Sequence, residues 1–114
     1  MMDFSHKNVL VVGVGISGNA VAKVAKMQGA DKVVLSDAKA EQDLKYDLTD
    51  VRATGVELVF GPQENTLLDN VDMVILSPAV PVRIPLVQEA YKREIPVVSE
   101  VQVAYELAKS PILA

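Results

Sequence analysis

At 114 residues, half of them hydrophobic, the chain has the size of one domain and can bury roughly two thirds of its unfolded surface in a single core. Its formal net charge of -4 and its 11 dispersed Lys and Arg residues argue against a nucleic-acid face, and zero cysteines exclude disulfides, thiolate metal sites and cysteine nucleophiles. No apolar run approaches the roughly 20 residues of a membrane span, and Met1 to Lys7 lacks the apolar core of a signal peptide, so the expectation is a cytoplasmic protein without a membrane partner.

The first apolar block, Val9 to Val12, reads as a buried strand. It runs directly into Gly13-Val14-Gly15-Ile16-Ser17-Gly18 and then into a helical pattern from Ser17 to Gly29, with Val21, Val24, Ala25 and Gln28 on one face and Gly29 as the cap. In a glycine run placed between strand and helix, the first glycine permits a tight turn and the second lets a pyrophosphate approach the backbone. The third lets helix and strand pack closely. Free N–H groups at the helix start then face the anion. Ser17 has two compatible roles, capping the helix or donating its hydroxyl to a phosphate.

Val33-Val34-Leu35 is the second strand, followed by Asp37-Ala38-Lys39. Asp37 stands about 20 residues beyond the glycine run, the spacing at which a carboxylate meets a ribose hydroxyl in dinucleotide folds; the plainer alternative is that it caps the next turn. From Glu41 to Thr54 the spacing predicts a short helix, with Leu44, Leu48 and Val51 on its apolar stripe, Asp43, Asp47 and Asp50 off it, and Gly55 closing it. Val56 to Phe60 is the third strand and the only one with an internal charge, Glu57. Gly61-Pro62 makes a turn, and Asn65 to Asp69 supplies one or two helical turns.

The fourth strand, Met73 to Leu76, leads into Ser77-Pro78-Ala79-Val80-Pro81. Pro78, Pro81 and Pro85 hold the backbone extended until Leu86, Val87, Ala90 and Tyr91 begin another amphipathic helix. Ile95-Pro96 introduces a short fifth strand, Val97-Val98, and Val101 to Lys109 forms a last helix with Ala104, Tyr105 and Ala108 that ends at Ser110-Pro111. Tyr91 and Tyr105 fall on apolar stripes and read as core residues. Ile112-Leu113-Ala114 resembles the opening of a further strand, so the chain reads as one domain cut from a longer polypeptide.

The alternation of strands and helices predicts an α/β fold, a Rossmann-like open five-stranded parallel sheet with helices on both faces. Ligands of such sheets bind at the carboxyl ends of the strands near the reversal of strand order, where the glycine run, Asp37 to Lys39 and Ser77 to Pro81 all fall. A Walker-type phosphate loop, a nucleophile–base pair and metal-ligand spacing are all missing, and the single histidine, His6, precedes the first strand at the far end of the sheet. No catalytic residue and no metal site is expected within residues 1–114.

With these motifs the sequence resembles the amino-terminal domain of the Mur ligases that add D-glutamate to UDP-N-acetylmuramoyl-L-alanine. The resemblance rests on Val11 to Gly18, Leu35-Ser36-Asp37, Ser77 to Pro81 and Ile95 to Glu100, and spans essentially the whole chain. It implies a domain that holds UDP instead of NAD, with phosphates at Gly15, Ile16, Ser17, Gly18 and the Ser77-Pro78-Ala79 turn, and uracil beside Asp37-Ala38-Lys39. One departure is Ala79, where the family usually carries glycine and where a methyl group restricts backbone approach. The resemblance also implies ATP and Mg as cofactors of the whole enzyme, bound by a central domain that begins beyond Pro111-Ile112-Leu113-Ala114, with no cofactor in residues 1–114. An NAD-binding Rossmann domain of an oxidoreductase or regulator is the competing expectation.

Overall fold

A computed structural model describes residues 4–108. Strands β1 (Asn8–Val12), β2 (Lys32–Asp37), β3 (Glu57–Phe60), β4 (Met73–Leu76) and β5 (Val97–Ser99) form one sheet in the order β3-β2-β1-β4-β5, every pair parallel. Helices α1 (Ile16–Met27), α2 (Thr49–Ala53), α3 (Pro85–Lys92) and α4 (Glu100–Ala108) join them, with single 3-10 turns at Glu41–Asp43 and Asn65–Leu68. None of these helices is long and apolar enough to cross a membrane.

Alternation along the central strand divides the core in two. Val9 and Val11 face one side, where Val21, Ala22 and Ala25 of α1, Val51 of α2 and Val103 of α4 cover them. Leu10 and Val12 face the other, where Leu68 and the α3 residues Leu86, Val87 and Ala90 close over them. Burial on both faces is what the near-continuous apolar strands require. The charged strand becomes an edge: Glu57 is exposed, and its carboxylate lies 3.7 Å from Lys32 Nζ on the neighbouring strand.

Helix ends follow the punctuation in the sequence. Gly29 stands at φ +97° just past α1, with its N–H on the Lys26 carbonyl and the Ala30 N–H on that of Ala25, the Schellman pattern that closes a helix with a left-handed residue. Gly55 is also left-handed, at φ +94° after α2, with its N–H on the Arg52 carbonyl, while the Thr54 hydroxyl donates to the Val51 carbonyl at 2.6 Å. On α1 the buried face includes Ala22, while Gln28 is only partly covered.

Two expectations are corrected. The segment from Glu41 to Thr54 is not one helix: a 3-10 turn ends at Leu44, whose ψ of 141° is extended, and α2 starts only at Thr49. Asp47 accounts for the break, because its Oδ1 accepts the Thr49 N–H at 2.9 Å and so competes with helix propagation. Leu48 and Val51 are still buried and Leu44 still packs on the same core, so the apolar spacing is satisfied along a broken path. Tyr91 and Tyr105 are surface residues, 49% and 61% exposed. Leu86, Val87 and Ala90 take the inner face of α3 and leave Tyr91 at its margin, while Tyr105 lies across α4 from Val103. The expected helix end at Lys109 to Pro111 and the further strand at 112–114 lie outside the described residues.

Candidate functional site at the carboxyl ends of the strands

Register brings the three candidate segments together. Val12 pairs with Ser36 and with Leu76, so the chain leaves β1, β2 and β4 at one level. The Gly13 N–H donates to the Ser36 carbonyl at 2.8 Å and the Ser77 N–H to the Val12 carbonyl at 3.0 Å, extending the sheet into the loops. Strand order reverses between β1 and β4, and the glycine run sits at that point.

The three glycines have separable roles. Gly13 has φ +101°, and a Cβ there would lie 2.7 Å from Ser77 Cβ, so this turn is possible only without a side chain. A Cβ on Gly18 would sit 2.5 Å from the Gly13 carbonyl oxygen, which fixes how closely α1 approaches the loop. Gly15 is different: its φ of -169° is ordinary extended backbone, and nothing lies within 4 Å of a Cβ built on it. Its lack of a side chain serves the open space in front of the loop.

Gly15 is also the N-cap of α1. Ser17 therefore occupies the second helical position and is not the cap, a correction to one of its two expected roles. With a glycine at the cap there is no side-chain capping bond, and the N–H groups of Ile16, Ser17 and Gly18 have no acceptor within the helix. Ile16, 81% exposed, stands at this open end, whereas Gly18 is buried beneath the loop.

Asp37 works as a clamp. Its Oδ2 accepts the Val14 N–H at 2.9 Å and its Oδ1 the Lys39 N–H at 2.9 Å, so one carboxylate ties the glycine loop to the loop after β2. The turn-capping alternative is thus realised, with the added bond to Val14. Ser77 organises its own turn, its carbonyl accepting the Val80 N–H at 2.9 Å and its Oγ the Ala79 N–H at 3.4 Å.

A cleft of about 560 Å³ opens between these segments, a volume typical of small-molecule sites. Gly13, Val14, Asp37, Lys39, Ser77 and Ala79 line it. Ala38 lines a smaller hollow beside it, with Gln63 and Pro81, and Pro78 faces a groove on the β5 side of the Ser77 turn. Gly15, Ile16 and Gly18 do not line the main cleft; they flank it at the helix start. Sequence reasoning missed Asp43, Leu44, Lys45 and Tyr46, which form the remaining wall. Reading the segment as one helix puts Leu44 on its apolar stripe and Asp43 off it, and gives Lys45 and Tyr46 no role at a cleft. His6 is at the opposite end of the sheet, largely exposed and 3.5 Å from Asp31. Among the described residues no group of three His, Cys, Asp or Glu side chains is placed to hold a metal ion.

An open parallel sheet with a glycine turn at the reversal of strand order and an uncapped helix start in front of it defines the Rossmann-like class of α/β domains. Residues 7–99 match the family described as Mur ligase MurD-like, N-terminal domain, and the chain belongs to that family. It is 40% identical, over its whole length, to the UDP-N-acetylmuramoylalanine--D-glutamate ligase of Pelotomaculum thermopropionicum. It is 35% identical over 99% of its length to the protein of the same name from Alkaliphilus metalliredigens. In each case it spans 25% of the relative's length. Among solved structures, the UDP-N-acetylmuramate-alanine ligase of Thermotoga maritima superimposes with a TM-score of 0.69 at 26% identity, covering 91% of this chain and 23% of that one.

Proposed function

We propose that the cleft holds the uridine diphosphate of UDP-N-acetylmuramoyl-L-alanine, and that the chain is the amino-terminal, substrate-binding domain of an ATP-dependent ligase that adds D-glutamate to it. The observation that carries the reading is the convergence of Gly13, Asp37 and Ser77 on one cleft in front of an uncapped helix, in a chain that belongs to this family. The N–H groups of Ile16, Ser17 and Gly18 and the Ser77-Pro78-Ala79 turn would receive the phosphates, and Asp37, Ala38 and Lys39 would border the uracil. Ala79 is exposed on the cleft wall, so its methyl narrows the cleft without closing it.

Such a domain supplies no reacting group. It binds a remote part of the substrate and thereby places the L-alanine carboxylate for activation by ATP and Mg, which the remaining three quarters of a protein of the relatives' length would hold. The test is calorimetric titration with UDP of the unaltered chain and of Gly15→Val, whose side chain would fill the open space before the loop. Saturable binding by the first and none by the second is expected. Equal affinity in both would place the ligand elsewhere.

A further inference from the structure

The wall that sequence reasoning missed has a structure of its own. Between the 3-10 turn and α2 the chain forms a short strap, Leu44 to Leu48, braced at both ends. Arg52 of α2 is ion-paired with Glu41 before it, and Asp47 Oδ1 accepts the Thr49 N–H at 2.9 Å after it. Leu44 and Leu48 fasten it from beneath, packing on the core between α1 and α2. With these anchors fixed, the residues between them, Lys45 and Tyr46, line the cleft together with Asp37, Lys39 and Gly13. Tyr46 is 42% exposed and packs in neither core cluster.

We infer that Tyr46 is the stacking wall for the nucleobase, and that Lys45 beside it adds a second cation to that of Lys39 at the cleft. This rests on the uridine diphosphate reading and assigns the part of the site that accepts the base. The chemistry is an aromatic ring at the lining of a cleft that the Ser77-Ala79-Val80 turn also borders. A base has a π-face to offer an aromatic ring, and a ring held on a braced strap needs little further ordering when ligand arrives. Stacking is tolerant of base identity, so Tyr46 contributes affinity for a nucleoside as such.

The experiment titrates uridine and UDP into the unaltered chain, Tyr46→Ala and Tyr46→Phe. Because stacking concerns the base alone, Tyr46→Ala should weaken both ligands by the same factor, roughly ten-fold, and Tyr46→Phe should restore both. A second readout uses the three tyrosines of the chain, Tyr46, Tyr91 and Tyr105. In the Tyr91→Phe, Tyr105→Phe double variant, uridine should quench the remaining tyrosine emission. Unchanged UDP affinity in Tyr46→Ala, or a loss confined to UDP with uridine unaffected, would overturn the assignment while leaving the uridine diphosphate reading in place. Failure of the unaltered chain to bind UDP would overturn both.

Discussion

Within the glycine run, three residues of one type answer to three different constraints, and substitution separates them. Gly15→Val should fold like the unaltered chain, since its backbone is extended and its surroundings open, while losing UDP binding. Gly18→Ala presses a methyl group to 2.5 Å from a carbonyl oxygen and should cost about 1 to 3 kcal/mol in urea denaturation. A stability loss at Gly15 equal to that at Gly18 would refute this division. The sequence made the three roles legible because spacing between strand and helix dictates them. Asp37 was legible as an acidic residue at the right distance and as a cap for the next turn, the bond its Oδ1 accepts from the Lys39 N–H. Its bond to Val14 requires the loops after β1 and β2 to lie side by side, which no local pattern states. Asp37→Asn replaces one acceptor oxygen with an amide donor facing a backbone N–H, so it should lower stability by about 1 kcal/mol and weaken UDP through a displaced loop. Unchanged stability in that variant would mean the clamp carries no load.

Among the elements, the connection between β2 and β3 shows where periodicity runs out. Leu44, Leu48 and Val51 recur at helical spacing, yet a 3-10 turn, a strap and a short helix bring the same three side chains to the same core. Side-chain bonds of Asp47 decide between the two paths, and hydrophobic spacing carries no information about them. The Thr49 hydrogen bonds hold the Asp47 carboxyl below its ordinary value of 3.8. Because the folded value is the depressed one, this contribution to the strap is complete above pH 3.8 and fades as pH falls through the lower, folded value. Nucleoside binding should therefore show no loss from this group between pH 5 and 8, an interval in which calorimetry would detect any. The close of α3 offers a separate check. Glu94 sits in the left-handed region at φ 60°, where the N–H groups of Glu94 and Ile95 bond the Tyr91 and Ala90 carbonyls in the pattern that glycine completes in α1. Glu94→Gly should stabilise the domain by about 1 kcal/mol in thermal unfolding. A lower melting temperature would show that the strain there is compensated.

For the molecule as a whole, sequence alone supplied the five strands, the two-sided core and the three segments that meet at the carboxyl ends. Strand order followed less directly. Only Glu57 marked an edge from within a strand, and the placement of β4 beside β1 depends on crossovers whose direction is a rule of α/β sheets and not a property of these residues. The same architecture explains how an acidic chain, net charge -4, can receive an anionic ligand. Positive charge is supplied locally, by the uncapped helix start, while Lys39 and Lys45 at the cleft offset Asp37 and Asp43 in the same lining, and no basic surface is needed.

The most direct test of the central claim is the melting temperature of the chain with UDP, UDP-N-acetylmuramoyl-L-alanine or NAD, all at one concentration of about ten times the UDP dissociation constant, which adds roughly 1.4 kcal/mol for a ligand of that affinity that binds only the folded state. The uridine ligands should raise it by about 5 °C and NAD should leave it unchanged. Stabilisation by NAD with no response to either uridine ligand would contradict the account.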